Sequence, residues 1–223
     1  MNVVLTRERP RNDTLRKILG LAMDVAEVPA TETVHFPVAD VVATCRIEPR
    51  TIIVTSTRGA EVAAALAASS SPESIIAVGA TSAARLVELG LRDVHYAGEE
   101  GARGVAALTF SGPVVTVGAL HTRPELGAVL QDRGLEFQHL AAYETKARTL
   151  SDADVEALGG ADFVVVAAPS AWSVVGPHVS PDATVIVRGQ TTFEVVQADH
   201  SMVVIAPSDT DTVATILVRA LGE

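Results

Sequence analysis

Aromatic residues make up only 4% of this 223-residue chain, so it has few flat side chains on which nucleic-acid bases could stack. There is one cysteine, Cys45, which excludes an internal disulfide and agrees with a reducing compartment. It follows VVAT and reads as a small core or edge residue rather than a nucleophile. No stretch reaches the roughly 18 to 20 unbroken apolar residues needed to span a bilayer. The start, MNVVLTRERP, runs from a strand into charge without the apolar segment of a signal peptide. A cytoplasmic location away from membranes is therefore expected. Metal ligation is poorly provided for, because His35, His95, His121, His139, His178 and His200 are widely spaced, with no HExxH and no cysteine cluster. Ser56, Ser170 and Ser208 lack the G-x-S-x-G of a nucleophile turn. No G-x-G-x-x-G follows a strand, which disfavours NAD or FAD.

A basic excess is missing too. The formal charge of -10 argues against a general binder of the nucleic-acid backbone, while leaving room for a small substrate in a locally basic cleft. Arg7, Arg9, Arg11, Arg58, Arg123, Lys146 and Arg188 fall near predicted strand ends, where they could meet an anion; solvated surface charge is the competing reading.

What the chain does have is one pattern twice. IVTSTRGAEV followed by IIAVGATSAARL resembles VVVAAPSAWSVV followed by VIVRGQTTFEVV. Each copy reads as a buried strand, a polar turn and a helix, then a second strand ending at a glycine with hydroxyls behind it. Continuous apolar strands alternating with helical patterns indicate parallel sheets covered on both faces. The predicted helices span residues 13–21, 59–68, 82–89, 101–108, 125–131, 151–158, 191–196 and 211–221. Ser151 and Asp154 form an S-x-x-D cap, Asp209 or Thr210 opens the last helix, and Gly90, Gly134 and Gly159 or Gly160 mark helix ends.

The hydrophobic fraction of 48% can fill two cores of about 100 residues each. Two polar, extended stretches, PATETVHFPVAD and FQHLAAYETKA, lack helix periodicity and read as paired crossings between domains. The first domain would then combine residues 1–30 with 148–223, the inserted domain would span 38–138, and 31–37 and 139–147 would be linker strands. Two consecutive domains divided near residue 112 also fit the pattern.

The chemistry-bearing residues left are strand-end hydroxyls: Thr6, Thr55, Ser56, Thr81, Ser82, Thr116, Ser170, Thr191, Thr192 and Ser208. With helix N-termini beside them they suit a ligand rich in carboxylates, although helix capping would account for each alone. Tyr143, one of two tyrosines, lies in AAYETKA; a protonated phenol can donate to a leaving group. Trp172 reads as core or cleft wall.

The ordered set LTRERP, IVTSTRGAEV, AVGATSAARLVELG, VTVGALHTRPELGAVLQDRG, AAYETKA, VVVAAPSAWSVV and VRGQTTFEVV resembles the uroporphyrinogen-III synthase family over nearly the whole length. The resemblance implies an α/β fold of two domains, each a parallel sheet flanked by helices, joined by a two-stranded antiparallel linker with an open cleft. It implies a cytoplasmic monomer without cofactor or metal. Its substrate would be hydroxymethylbilane, cyclised with loss of water and inversion of ring D, with a transient contact to the preceding bilane-forming enzyme. The family's catalytic tyrosine matches Tyr143. Its substrate-binding positions match Thr55, Ser56, Thr81 or Ser82, Ser170, Thr191 and Thr192, and Thr6 and Arg7, at the end of the first strand, are expected to bind substrate beside them. Ala167 and Ala168 stand where the family has a second T-S pair, and GQTT carries a polar Gln190. A non-catalytic tetrapyrrole-binding or regulatory protein built on the same fold is the alternative.

Overall fold

The computed structural model describes residues 1–8, 12–98, 101–206 and 213–217. Arg9, Arg11, Ser208, the expected cap at Asp209 or Thr210 and both ends of the last expected helix lie outside them. In chain order the elements begin β1 (Asn2–Leu5), α1 (Asp13–Leu19), β2 (Asp24–Glu27), β3 (Thr31–His35), α2 (Val38–Ala43), β4 (Thr51–Val54), α3 (Ala60–Ser70), β5 (Ser74–Ala77), α4 (Ala80–Glu88) and β6 (Val94–Tyr96). They continue α5 (Ala102–Ala107), β7 (Val114–Ala119), α6 (Pro124–Asp132), β8 (Phe137–Ala147), α7 (Asp152–Gly159), β9 (Phe163–Val166), α8 (Pro169–Val175), β10 (Thr184–Arg188), α9 (Gln190–Val196) and β11 (Val203–Ala206).

Two compact units result: Met1–Glu32 with Lys146–Glu223, and Thr33–Thr145. The chain passes between them within β3 and again within β8.

In the first unit the sheet order is β11-β10-β9-β1-β2, parallel throughout. Its apolar runs have no polar face because both faces are covered. Val4, Val164, Val166, Val185 and Val187 point to one side, where Leu158, Trp172, Val175 and Val196 meet them. Val3, Leu5, Val165 and Ile186 point to the other, against Leu15, Leu19, Val213 and Leu217. This is the period-2 alternation of a pleated strand. The expected Ser151 cap is a full capping box, with Asp154 reaching back to the Ser151 N–H.

In the second unit the order is β3-β8-β7-β4-β5-β6. Ile52, Val54, Ile75, Ala77, Val115 and Val117 pack against Val41, Val62, Leu66 and Leu86, while Ile53, Ile76 and Val114 pack against Val105 and Leu130. Strands β4 to β8 pair in parallel. β3 is the exception: Phe36 N–H donates to Ala142 and Arg148 N–H to Ala30, so partner numbers fall as residue numbers rise, the mark of an antiparallel pair.

One expectation is corrected here. Residues 29–40 are not extended throughout: Val38–Ala43 is a helix, opened by Pro37 at its N-cap without a side-chain cap bond. It buries only Val41, too little for a visible helical period. β8 runs unbroken from Phe137 to Ala147, and its first part, from Phe137 to Tyr143, pairs with β7. Among the described residues no helix is long and apolar enough to cross a membrane.

Candidate functional site

The site grows from the carboxyl ends of β4 and β7, where parallel strands stop and their last backbone groups meet side chains. Thr55 adds a rung beyond β4: its N–H donates to the Val117 carbonyl at 3.0 Å, and its Oγ1 donates to the same oxygen at 3.2 Å. Gly118 makes this possible, since a Cβ there would lie 2.1 Å from Thr55 Oγ1. Ser56 follows in extended conformation (φ -155, ψ 144) and caps a short 3-10 turn by accepting from Arg58 N–H at 3.3 Å. Arg58 then lies over the Tyr143 ring, its guanidinium carbon 5.5 Å from the centroid, a cation–π contact worth about 0.5–1 kcal/mol at an exposed site. The His35 ring stands 6.0 Å from the tyrosine ring.

Tyr143 reaches this position through an irregularity in β8. Gly118 pairs with Ala141 but Ala119 pairs with Tyr143, so Ala142 is an extra residue in the ladder. A bulge of this kind re-aims the side chain after it. Tyr143 is 8% exposed; it belongs to the core cluster of Val41, Val62, Leu66 and Leu86 and also lines a cavity within the second unit.

That cavity encloses about 710 Å³, within the range of ligand pockets. Thr116 and His139 lie in its sheet wall, where β7 turns a threonine instead of a valine toward the α5–α6 side. His139 is held at both ring nitrogens, Nδ1 2.9 Å from Thr116 Oγ1 and Nε2 2.8 Å from the Ala119 carbonyl. Arg103 at the start of α5, with His121, Arg123 and Glu125 before and within the first turn of α6, completes the polar lining. A chain of formal charge -10 thus has two arginines against one carboxylate at this wall, so its local field favours anions. Among the described residues no three His, Cys, Asp or Glu side chains are grouped to hold a metal ion.

Of the expected site residues, Thr55 and Tyr143 meet at this cavity, joined by Thr116 and Arg123 from the wider set of strand-end hydroxyls and basic residues. Ser56 is adjacent in sequence, with its oxygen engaged in the cap. Thr81 is exposed in the first turn of α4, and Ser82 is buried with its oxygen 3.5 Å from Thr57 Oγ1. The other five belong to the first unit. Thr6 is buried and donates to the Val165 carbonyl at 2.8 Å, and the Arg7 carbonyl accepts from Asn12 Nδ2 at 2.7 Å. Ser170 and Thr191 are exposed at the starts of α8 and α9, and Thr192 is buried. Trp172 is core, 4% exposed, with Nε1 3.3 Å from Asp199.

Sequence reasoning passed over Gly118, Arg103 and the pairing of His139, and weighed His121 and His139 only as metal ligands. The alternation of VTVGA with QHLAA was the available signal, since it sets Thr116 and His139 on one face of neighbouring strands.

Two solved structures share the fold. A mutant uroporphyrinogen III synthase from Thermus thermophilus has a TM-score of 0.66 and 18% identity, covering 100% of this chain and 99% of that one. A uroporphyrinogen-III synthetase from Helicobacter pylori also has a TM-score of 0.66 and 18% identity, covering 99% of each chain. No curated protein sequence matches significantly. The family model described as uroporphyrinogen-III synthase HemD matches residues 13–214, most of the chain's length, and the chain belongs to that family.

Proposed function

We propose that this protein is a uroporphyrinogen-III synthase, which closes hydroxymethylbilane into uroporphyrinogen III with loss of water and inversion of ring D. The observation that carries the reading is Tyr143: the residue matching the family's tyrosine lines a ligand-sized cavity whose wall carries Arg103 and Arg123. The Tyr143 phenol gives its proton to the departing A-ring hydroxyl, which leaves as water, and the pyrrole nitrogen supplies the electron pair to form an azafulvene. The substituted carbon of ring D attacks it, the resulting spiro intermediate fragments, and closure at the free carbon sheds a proton that restores the phenol. General acid assistance of this kind contributes about 10²- to 10⁴-fold. The bilane also closes unaided to the type I isomer, so positioning carries much of the task.

Thr6, Arg7, Thr55, Ser56, Thr81 or Ser82, Ser170, Thr191 and Thr192 are proposed as substrate contacts, with the exposed hydroxyls of Thr81, Ser170 and Thr191 as weak donors rather than a strong acid. The protein would act as a cytoplasmic monomer without a cofactor, in transient contact with the enzyme that forms the bilane. The test is to add freshly generated hydroxymethylbilane and measure the rate of consumption and the ratio of type III to type I product, with and without protein. Rapid, type III-dominated closure is expected. An unchanged, type I-dominated mixture would leave a non-catalytic tetrapyrrole-binding protein.

A further inference from the structure

The hydrogen-bond polarity of the cavity's sheet wall can be read from the partners of two side chains. His139 Nε2 lies 2.8 Å from the Ala119 carbonyl, and a carbonyl oxygen only accepts, so Nε2 carries the hydrogen. In the neutral ring Nδ1 is then an acceptor. The atom facing it, at 2.9 Å, is Thr116 Oγ1, whose single proton must therefore point at His139. Only oxygen lone pairs remain for the cavity. Thr55, on the same cavity, has committed its proton similarly, to the Val117 carbonyl. Thr116 is 5% exposed, so bulk water has little access to those lone pairs. The wall is thus set for a ligand that donates.

A carboxylate has no hydrogen to give and is drawn to Arg103 and Arg123 instead. Apart from the A-ring hydroxyl, which is assigned to Tyr143 as the leaving group, the donors of the linear tetrapyrrole are its pyrrole N–H groups, one on every ring. Resting on the synthase reading above, we propose that Thr116, oriented by His139, accepts a hydrogen bond from a pyrrole N–H of the substrate and so seats that ring beside Tyr143. Thr116 touches the substrate; His139 acts through it as a positioning residue.

Four variants separate this role from a structural one. Thr116→Val removes the acceptor at nearly constant volume and should lower kcat/KM about tenfold, whereas Thr116→Ser should recover to within about threefold of wild type. His139→Asn places an amide oxygen near the Nδ1 position and keeps Thr116 oriented. His139→Gln reaches toward Ala119 but leaves nothing at Nδ1. His139→Asn should therefore be the more active of the two, with thermal melts confirming that all four fold. Wild-type activity from Thr116→Val, or His139→Gln equal to or better than His139→Asn, would overturn the inference. Should the wild type fail to cyclise the bilane, the synthase reading falls separately. Calorimetric titration with opsopyrroledicarboxylic acid, a single pyrrole whose only substituents are two carboxylate arms, then decides: weaker binding to Thr116→Val than to wild type keeps the inference, and equal binding or no binding to wild type overturns it.

Discussion

The two copies of the strand–turn–helix pattern reach nearly the same backbone and leave it with different chemistry. After β4, Ser56 sits at φ -155, ψ 144 and its side chain caps the following turn. After β9, Ala168 sits at φ -154, ψ 152 as the N-cap of α8, with no side-chain cap. The extended residue at the strand end is thus generic to the α/β unit, and a hydroxyl there is an added feature. In the Thr33–Thr145 unit Thr55 and Ser56 stand beside a cavity of about 710 Å³. In the other unit Ala167 and Ala168 hold the equivalent turn, and Pro169 starts the helix.

The largest effects should come from glycines that let elements approach. A Cβ at Gly104 would lie 1.7 Å from the Ala97 carbonyl oxygen, a backbone atom that cannot rotate away, so Gly104→Ala should destabilise the cavity-bearing unit by about 3 kcal/mol. In the other unit a Cβ at Gly176 would lie 2.7 Å from the Trp172 ring, and Gly176→Ala should cost about 2 kcal/mol. Denaturant midpoints rank the pair. Gly118→Ala comes next, at about 1–3 kcal/mol; because it must displace the Thr55 hydroxyl, bilane turnover should fall with stability. A variant destabilised but fully active per folded molecule would detach Thr55 from the site.

Smaller changes sharpen the comparison at the caps. Ser56→Ala should lower stability by about 1 kcal/mol, and Ala168→Ser should raise it by about 0.5–1 kcal/mol, since the backbone already has N-cap geometry. Opposite shifts in thermal midpoint are the expected reading. Ser151→Ala should cost about 1 kcal/mol by opening the capping box of α7. Asp154 adds a pH signature there. Burial pushes its carboxyl up, but the Ser151 N–H and hydroxyl, with the Arg148 guanidinium, hold it below the usual carboxylate value. A depressed carboxyl stabilises the fold above its unfolded pKa and loses that contribution as pH falls through the folded one. Acid unfolding from about pH 4 downward should therefore be shallower in Asp154→Asn than in wild type.

The strands were legible because four-residue apolar runs such as FVVV and TIIV are buried on both faces, and the Ser151 cap because its partner stands at fixed spacing. α2 was not, since six residues with one buried valine carry no readable period. The site was half legible. Thr55 comes from a strand end that sequence can mark, and Tyr143 from AAYETKA as one of two tyrosines in the chain. The extra Ala142, the glycine under Thr55 and the meeting of Thr116 with His139 depend on register between strands far apart in the chain.

The most direct test of the account is the rate of type III formation by Tyr143→Phe beside wild type under single-turnover conditions. Phenylalanine keeps the ring beside Arg58 and His35, so the melting midpoint should hardly move while the rate falls about 100-fold. Undiminished conversion at an unchanged isomer ratio would contradict it.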